Sequence, residues 1–113
     1  MRGKQAMKNE FGVRLDRNGY APSIMGAGGV CYVCGKRCVT QRHEFIHGAN
    51  RDKSKRYGLW ADVCGPCHTK IHNCDADLDW SLKRAAQKKA MDTYGWGIDD
   101  FRLIFGRNYL TED

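Results

Sequence analysis

Most of the structural information in this chain lies in residues 31–72, which read CYVCGKRCVTQRHEFIHGANRDKSKRYGLWADVCGPCHTKIH. The segment opens with one Cys-x-x-Cys pair, Cys31 and Cys34, and a second pair, Cys64 and Cys67, lies near its end. Each pair can offer two thiolates to one tetrahedral ion, and four thiolates leave no open coordination position. The spacing therefore predicts a structural zinc site.

The remaining cysteines leave alternatives open. Cys38 is close enough to Cys34 in sequence to replace it as a ligand, whereas Cys74 is expected to be a lone thiol. A buried set of thiols without metal is the other interpretation of the two pairs. Disulfides are not expected, because the N-terminal residues contain no apolar signal segment and a reducing, cytoplasmic compartment is therefore favoured.

Histidines flank the cysteine pairs. His68 and His72 are four residues apart in a predicted helix, so both imidazoles can reach one ion. His43 and Glu44 lie between the two cysteine pairs, where a bound zinc would hold them near that helix. We interpret this pattern as one structural metal beside one catalytic metal. The alternatives are helix-face histidines without a ligand and a His43–Glu44 pair that is purely structural.

Composition restricts the type of protein. A chain of 113 residues fits one domain with a small core, for which a metal ion is a plausible additional source of stability. Its formal net charge of +6 suits a polyanionic partner. No apolar run approaches the roughly 20 residues of a membrane span, so we expect no membrane partner.

The order of elements can be predicted within the metal region. Residues 39–46 are rich in β-branched and aromatic residues and predict a strand, which the glycine-containing segment 48–50 ends. Residues 51–56 are expected to form a charged loop or a single helical turn, and residues 59–63 a second strand. Pro66 then marks the start of a helix, because the first helical turn tolerates a missing amide proton.

The flanking segments predict an arm and further helices. Residues 1–12 are expected to be a loose arm, and Arg17-Asn18-Gly19 predicts a short hairpin or extended turn. Acidic residues precede a predicted helix at about 78–94, and a last helix is expected to end at Gly106. The chain is thus divided, within one compact domain, into an arm with a hairpin, a metal-binding core and a helical extension, at residues 1–30, 31–74 and 75–113.

At this level the chain resembles a known family. Strand, loop, strand and helix around a zinc knuckle, with histidines on strand and helix, is the plan of the ββα-metal, or His-Me finger, nucleases. The chain resembles the HNH endonuclease superfamily within that group, and more narrowly the small HNH-like proteins of bacteriophages and prophages. The matching stretches are CYVCG (31–35), QRHEFIHG (41–48), KRYGLW (55–60), CGPCH (64–68), RLDRNGYAPS (14–23) and FGRNYL (105–110).

The resemblance implies an α+β fold and metal-dependent hydrolysis of DNA phosphodiester bonds. A strand histidine would deprotonate water, and a divalent ion (Mg²⁺, Mn²⁺, Ni²⁺ or Zn²⁺) would stabilise charge on the phosphate. The implied catalytic residues are His43, Glu44 and His68, and the implied ligands of the catalytic ion are His43, Glu44, His68 and His72. The expected partner is DNA in a bacterial host cell, and a homodimer is one way to cut both strands.

The role of each group stays open at this point. His43 can be the ligand with Glu44 as the base, or His43 can be the base with a Glu44 ligand, which we slightly prefer because carboxylates suit Mg²⁺ and Mn²⁺. His47 is a third candidate base. Gly58 takes the approximate place of the Asn in the family name, and Asn50 is the nearest substitute. A catalytically inactive zinc-finger DNA-binding or adaptor protein is the alternative function.

Basic clusters on both sides of the second cysteine pair are candidate phosphate contacts. In each cluster the alternative is a solvated face without a DNA-binding role. The residues expected to bind DNA are Arg51, Lys53, Lys55, Arg56, Lys83 and Arg84.

Overall fold

Two short antiparallel strands and four helices form the regular structure of the residues that the computed structural model describes, 7–26, 28–73 and 75–110. The fold class is therefore α+β, as predicted. A single 3₁₀ turn, Gly48–Asn50, leads into the first helix. The elements are β1 (Thr40–Glu44), α1 (Arg51–Arg56), β2 (Trp60–Cys64), α2 (Gly65–Asn73), α3 (Ala76–Tyr94) and α4 (Ile98–Phe105).

The two strands form an antiparallel ladder in which Thr40 pairs with Cys64 and His43 pairs with Ala61. Because successive residues of a strand point to opposite faces, His43 and Glu44 face different sides of the sheet. Residues of β2 are mostly buried, whereas Gln41 and Arg42 of β1 are exposed. The alternation of side chains along β1 determines which of them face α2.

Strand β2 passes directly into α2, since Cys64 ends the strand and Gly65 begins the helix. Helix α2 contacts both strands and α3. The direct connection places Cys67 and His68 in the first turn of a helix that packs on the sheet. The sequence pattern in this region is thereby confirmed: strand, helical turn, strand and helix follow in the predicted order.

The C-terminal helices have the predicted end signals. Asp75 caps α3 by accepting a hydrogen bond from the backbone amide of Leu78 at 2.8 Å, and Gly95 ends it in a left-handed conformation. Gly106 ends α4 in the same way. The buried core is built from residues of the sheet region, α3 and α4, including Phe45, Ile46, Leu59, Val63, Ala86, Ala90, Phe101 and Phe105.

Gln87 of α3 ties the C-terminal segment to this core. Its side chain is fully buried, and Oε1 accepts a hydrogen bond from the backbone amide of Tyr109 at 2.7 Å. Its Nε2 donates to Oδ1 of Asn108 at 2.8 Å. Both ends of the amide are therefore satisfied inside the protein, as buried polar groups require.

The N-terminal segment differs from the predicted loose arm where it is described. Asn9 is buried and donates from Nδ2 to the carbonyl of Arg56 at 3.0 Å, and the Phe11 ring stacks on Tyr94 with centroids 4.5 Å apart. Asp16 and Tyr20 close the extended turn through a backbone hydrogen bond of 2.9 Å. Four parts of the predicted segments lie outside the described residues, namely residues 1–6, Ala27, Cys74 and residues 111–113.

Gly58 follows α1 at a point where another backbone segment passes. It has a φ of +77°, and a Cβ atom there would lie 2.4 Å from the carbonyl oxygen of Pro22. Its own carbonyl accepts a hydrogen bond from the amide of Ile24 at 2.9 Å. Only glycine fits both the dihedral angle and the space.

Candidate metal centres

The four cysteines predicted to form one site lie together. Their sulfur atoms are all within 4.8 Å of one another, and the Sγ atoms of Cys34 and Cys64 are 3.9 Å apart. Tetrahedral coordination with metal–sulfur bonds of about 2.3 Å requires sulfur atoms about 3.8 Å apart. The cluster Cys31, Cys34, Cys64 and Cys67 thus fits one tetrahedral ion.

The thiols of this cluster differ in how readily they ionise. Burial opposes ionisation of Cys31, but backbone amides directed at its sulfur, including that of Cys34, lower its pKa to about 6. Burial and the neighbouring thiols raise the pKa of Cys67 to about 12. Adjacent thiolates repel one another, so this group can carry four negative charges only when a cation neutralises them.

Cys38 lies outside the group of four. Its sulfur points to the carbonyl of Lys36 at 3.5 Å, and burial together with the nearby Cys64 and Cys31 raises its pKa. The structure thus places Cys34 in the cluster, and the alternative with Cys38 in its place does not match the arrangement.

A second group of donors consists of imidazoles only. One nitrogen atom from each of His43, His68 and His72 can be chosen so that all three lie within 4.8 Å of one another. The centroid of the His43 ring is 5.4 Å from that of His68 and also 5.4 Å from that of His72. The strand histidine and the two helix histidines that the sequence singled out are therefore brought together.

One buried nitrogen of His43 is not satisfied by any of the described residues. Among the described residues, Nε2 of His43 is the buried side-chain nitrogen or oxygen atom that lacks a hydrogen bond. Burial, reinforced by the neighbouring His68 and His72 rings, lowers the pKa of His43 to about 4, so this imidazole is neutral at pH 7. Buried polar atoms usually have a partner, so an imidazole nitrogen that no protein group contacts is a candidate metal ligand.

Gln41 orients His68. Its Oε1 atom lies 2.5 Å from Nδ1 of His68, and because an amide oxygen only accepts hydrogen bonds, Nδ1 carries the proton. Nε2 of His68 is then the nitrogen available to an ion. Gln41 is located two residues before His43 on β1, on the same face of the sheet. The contact has the form of the outer hydrogen bonds that orient metal-binding histidines.

The fourth histidine lies beside the three. The His47 ring centroid is 5.3 Å from that of His72, and Nε2 of His47 is 3.2 Å from Oδ1 of Asp79 on α3. Oδ2 of Asp79 also accepts from Nζ of Lys83 at 2.9 Å. His47 is therefore not one of the three clustered imidazoles, but the Asp79 carboxylate holds it next to them.

Glu44 does not join the imidazole cluster, which corrects its assignment as a ligand or base at the same ion. It points to the opposite face of β1, where it accepts hydrogen bonds from the Tyr20 hydroxyl and from Nε of Arg51, the latter at 2.9 Å. Although burial opposes ionisation, these two donors lower the pKa of Glu44 below its usual value. The physical reason is the two-residue period of a strand, which separates Glu44 from His43.

Asn50 and Gly58, the two residues considered for the place of the Asn in the HNH family name, both have structural roles. Asn50 donates from Nδ2 to the carbonyl of Phe105 at 2.9 Å and so links the turn before α1 to α4. Gly58 is restricted to glycine by the close approach of Pro22. Among the described residues, neither Asn50 nor Gly58 forms a hydrogen bond with the imidazole cluster.

The basic residues expected to bind DNA all have partners within the chain. Arg51 pairs with Glu44, Arg56 with Glu10 at 3.0 Å and Lys83 with Asp79. Lys53 and Arg84 donate to the carbonyls of Ile104 and Tyr109, and Lys55 lies 4.0 Å from Asp52. Of the six, Lys83 is connected to the metal region, through Asp79 and His47.

Sequence reasoning missed Gln41 and Asp79 as site residues. Gln41 had a detectable signal, because it shares strand parity with His43. Asp79 had no such signal, since acidic residues at the start of a helix are explained by the helix dipole alone.

Comparison with family models, curated proteins and solved structures finds no match for this chain. Among the described residues, none of the helices combines the length and apolar character needed to cross a bilayer.

Proposed function

We propose that this chain is a metal-dependent DNA endonuclease of the HNH type, in which β1, β2 and α2 form the ββα-metal unit. The observation that carries the proposal is the presence of two separate donor sets of different chemistry. One set has four sulfur atoms and the other has three imidazoles with a buried, unpartnered nitrogen at His43. Four thiolates close a structural site, whereas three protein ligands leave a coordination position for water or substrate.

We assign zinc to the cysteine cluster, because thiolates favour Zn²⁺ over harder divalent ions. His43, His68 and His72 would hold the second ion, and imidazole donors suit Zn²⁺, Ni²⁺ and other transition ions better than Mg²⁺. When bound there, the ion would supply Lewis-acid stabilisation of negative charge on the phosphate. Gln41 keeps His68 in the tautomer that presents Nε2 to that ion.

His47 is the residue to which we assign proton removal from the attacking water. Its ring lies beside His72 but outside the three-imidazole set, and it is half-exposed. A general base must be near the ion-binding site without being consumed as a ligand. Glu44 is oriented away from this site and His43 is a ligand, so the geometry favours His47 among the three candidates from the sequence.

DNA is the substrate class that suits the charge of the chain. The formal net charge is +6, and exposed cations such as Lys70 on α2 lie on the helix that carries His68 and His72. Binding to the phosphate backbone depends on cationic side chains and does not require base-specific contacts. The six cations with internal partners can still contribute, because surface ion pairs are weak and exchange partners readily.

Cleavage of supercoiled plasmid by the purified protein tests the proposal. The protein is treated with a chelator mild enough to leave the cysteine-bound metal in place, and Mn²⁺, Ni²⁺, Zn²⁺ or Mg²⁺ is then added. We expect ion-dependent nicking by the wild-type protein. We expect none from His72→Ala, because that variant loses one of three ligands while the exposed position tolerates alanine.

Asn73→Ala, at the next exposed position of the same helix, serves as the matched control and should cleave like the wild type. Both variants should keep the zinc content of the wild-type protein. If the wild-type protein binds DNA and retains its zinc but does not nick under any ion, the proposal is contradicted, and the chain is a zinc-containing DNA-binding or adaptor protein instead.

A further inference from the structure

Asp79 makes two charged contacts at the edge of the imidazole cluster. Its Oδ1 lies 3.2 Å from Nε2 of His47, and its Oδ2 lies 2.9 Å from Nζ of Lys83. The Asp79 side chain is 18% exposed and that of Lys83 is 16% exposed, so their ion pair is largely shielded from water, whereas the His47 side chain is 35% exposed. Lys83 is one turn further along α3, which fixes the direction of the carboxylate.

The contact determines which nitrogen of His47 carries a proton. Although burial opposes ionisation, hydrogen bonds from Lys83 and His47 lower the pKa of Asp79, so its carboxylate is charged at neutral pH. A carboxylate only accepts hydrogen bonds, and Nε2 of His47 must therefore donate. In neutral His47 the lone pair is then on Nδ1, which becomes the basic nitrogen.

We infer that Asp79 is a positioning residue for the proposed nuclease reaction, and that it holds His47 in the Nε2–H tautomer and in a fixed ring orientation beside the ion-binding imidazoles. The inference rests on the proposed function and adds a residue from α3, outside the strand–strand–helix unit. Lys83 acts with it by orienting the carboxylate. A His47 without this contact would sample both tautomers and other ring orientations.

A purely structural role is the competing explanation. His47 follows β1 and Asp79 is on α3, so the pair also joins two parts of the fold. A structural tie predicts a loss of stability when it is removed, with no separate effect on the reaction. Positioning predicts a fall in kcat with unchanged KM, together with a change in the tautomer of His47.

Asp79→Asn tests the difference, with Asp77→Asn as the matched control. Both residues are acidic and lie in the first turn of α3, so both variants lose the same favourable helix-dipole interaction. Asp77 is exposed, and among the described residues His47 forms its hydrogen bond with Asp79 and not with Asp77. For Asp79→Asn we expect kcat to fall by about 10- to 100-fold with KM and ion affinity unchanged. Asp77→Asn should match the wild type.

Long-range proton–nitrogen NMR of the ¹⁵N-labelled protein provides a readout that does not depend on activity. His47 in the wild-type protein should be the Nε2–H tautomer, and Asp79→Asn should give a mixture. An Nδ1–H tautomer in the wild type, or an unchanged tautomer and kcat in the folded variant, would overturn the inference.

The two proposals can fail separately. If Asp79→Asn weakens ion binding as strongly as His72→Ala does, Asp79 is a ligand and the positioning role is excluded, while the nuclease proposal stands. If the wild-type protein does not cleave DNA with any ion, the nuclease proposal fails and the positioning role fails with it, whatever tautomer His47 adopts.

Discussion

The ring of His43 on β1 meets the ring of His72 on α2 edge to face, with centroids 5.4 Å apart and 72° between the ring planes. This contact exists because β2 continues into α2 without a loop. Helix α2 then packs on the face of the sheet that carries His43. The cysteine cluster lies at the same junction, since Cys64 ends β2 and Cys67 is in the first turn of α2. The β2–α2 junction thus contributes two residues to each donor set, namely Cys64 and Cys67 to one and His68 and His72 to the other.

Removing one thiolate should unfold the domain. Cys64→Ser is expected to release the bound zinc and to abolish the cooperative unfolding transition, because binding of a structural metal is coupled to folding. Zinc content by mass spectrometry and thermal unfolding followed by circular dichroism measure the two effects. Cys38→Ser is the control and should keep both, since Cys38 is outside the group of four. Equal zinc loss in both variants would contradict the four-cysteine assignment.

Glu44 should be dispensable for ion binding. We expect Glu44→Gln to bind Ni²⁺ or Zn²⁺ at the imidazole site as tightly as the wild type, whereas His68→Ala should bind at least about 10-fold more weakly. Isothermal titration calorimetry of zinc-loaded protein gives both affinities. A similar loss in Glu44→Gln would mean that Glu44 reaches the ion, against its position on the opposite face of β1.

Gly58 should tolerate no side chain. Gly58→Ala combines left-handed strain with a 2.4 Å contact to the carbonyl of Pro22. Gly12→Ala is a matched control, because Gly12 has a φ of +76° and open space around a Cβ atom. We expect Gly12→Ala to cost about 1 kcal/mol of unfolding free energy and Gly58→Ala at least about 1 kcal/mol more. Urea unfolding measures both, and equal costs would show that the close approach of Pro22 is unimportant.

Gln87 should be a major contributor to stability although it is polar. Gln87→Ala leaves the buried amide of Tyr109 without its acceptor and opens a cavity, and we expect a loss of about 2 to 3 kcal/mol. Lys88→Ala, at the next and exposed position, should change stability by less than about 0.5 kcal/mol. Denaturant unfolding of both variants tests this, and equal small effects would exclude a role for Gln87 in anchoring the C-terminal segment.

The elements could be predicted where local rules act. The cysteine spacing, the β-branched strand and the glycine after α3 each depend on neighbouring residues. The structure confirms the cysteine cluster and the glycine, and it contains a strand that is shorter than predicted, Thr40–Glu44 instead of 39–46. Trp60 is buried, and Trp80 and Trp96 pack against the core, which is typical of large side chains in a small domain.

Long-range contacts explain what sequence reasoning could not supply. The packing of Phe11 on Tyr94 depends on how the chain returns to α3, and no local pattern indicates it. The same holds for the contact of Asp79 with His47. The orientation of Glu44 was predictable in principle, because strand parity alone separates it from His43. Because a carboxylate is a good metal ligand, the sequence instead led us to expect that Glu44 binds the same ion as His43.

The proposed nuclease activity depends on one claim: the three imidazoles bind an ion that is separate from the ion in the cysteine cluster. Anomalous X-ray diffraction from crystals grown with Zn²⁺ locates both ions in a single measurement. We predict one peak about 2.3 Å from the sulfur atoms of the four cysteines and a second about 2.0 to 2.1 Å from nitrogen atoms of His43, His68 and His72. A peak at the cysteines alone, with the imidazoles ordered and unliganded at saturating Zn²⁺, would contradict the claim.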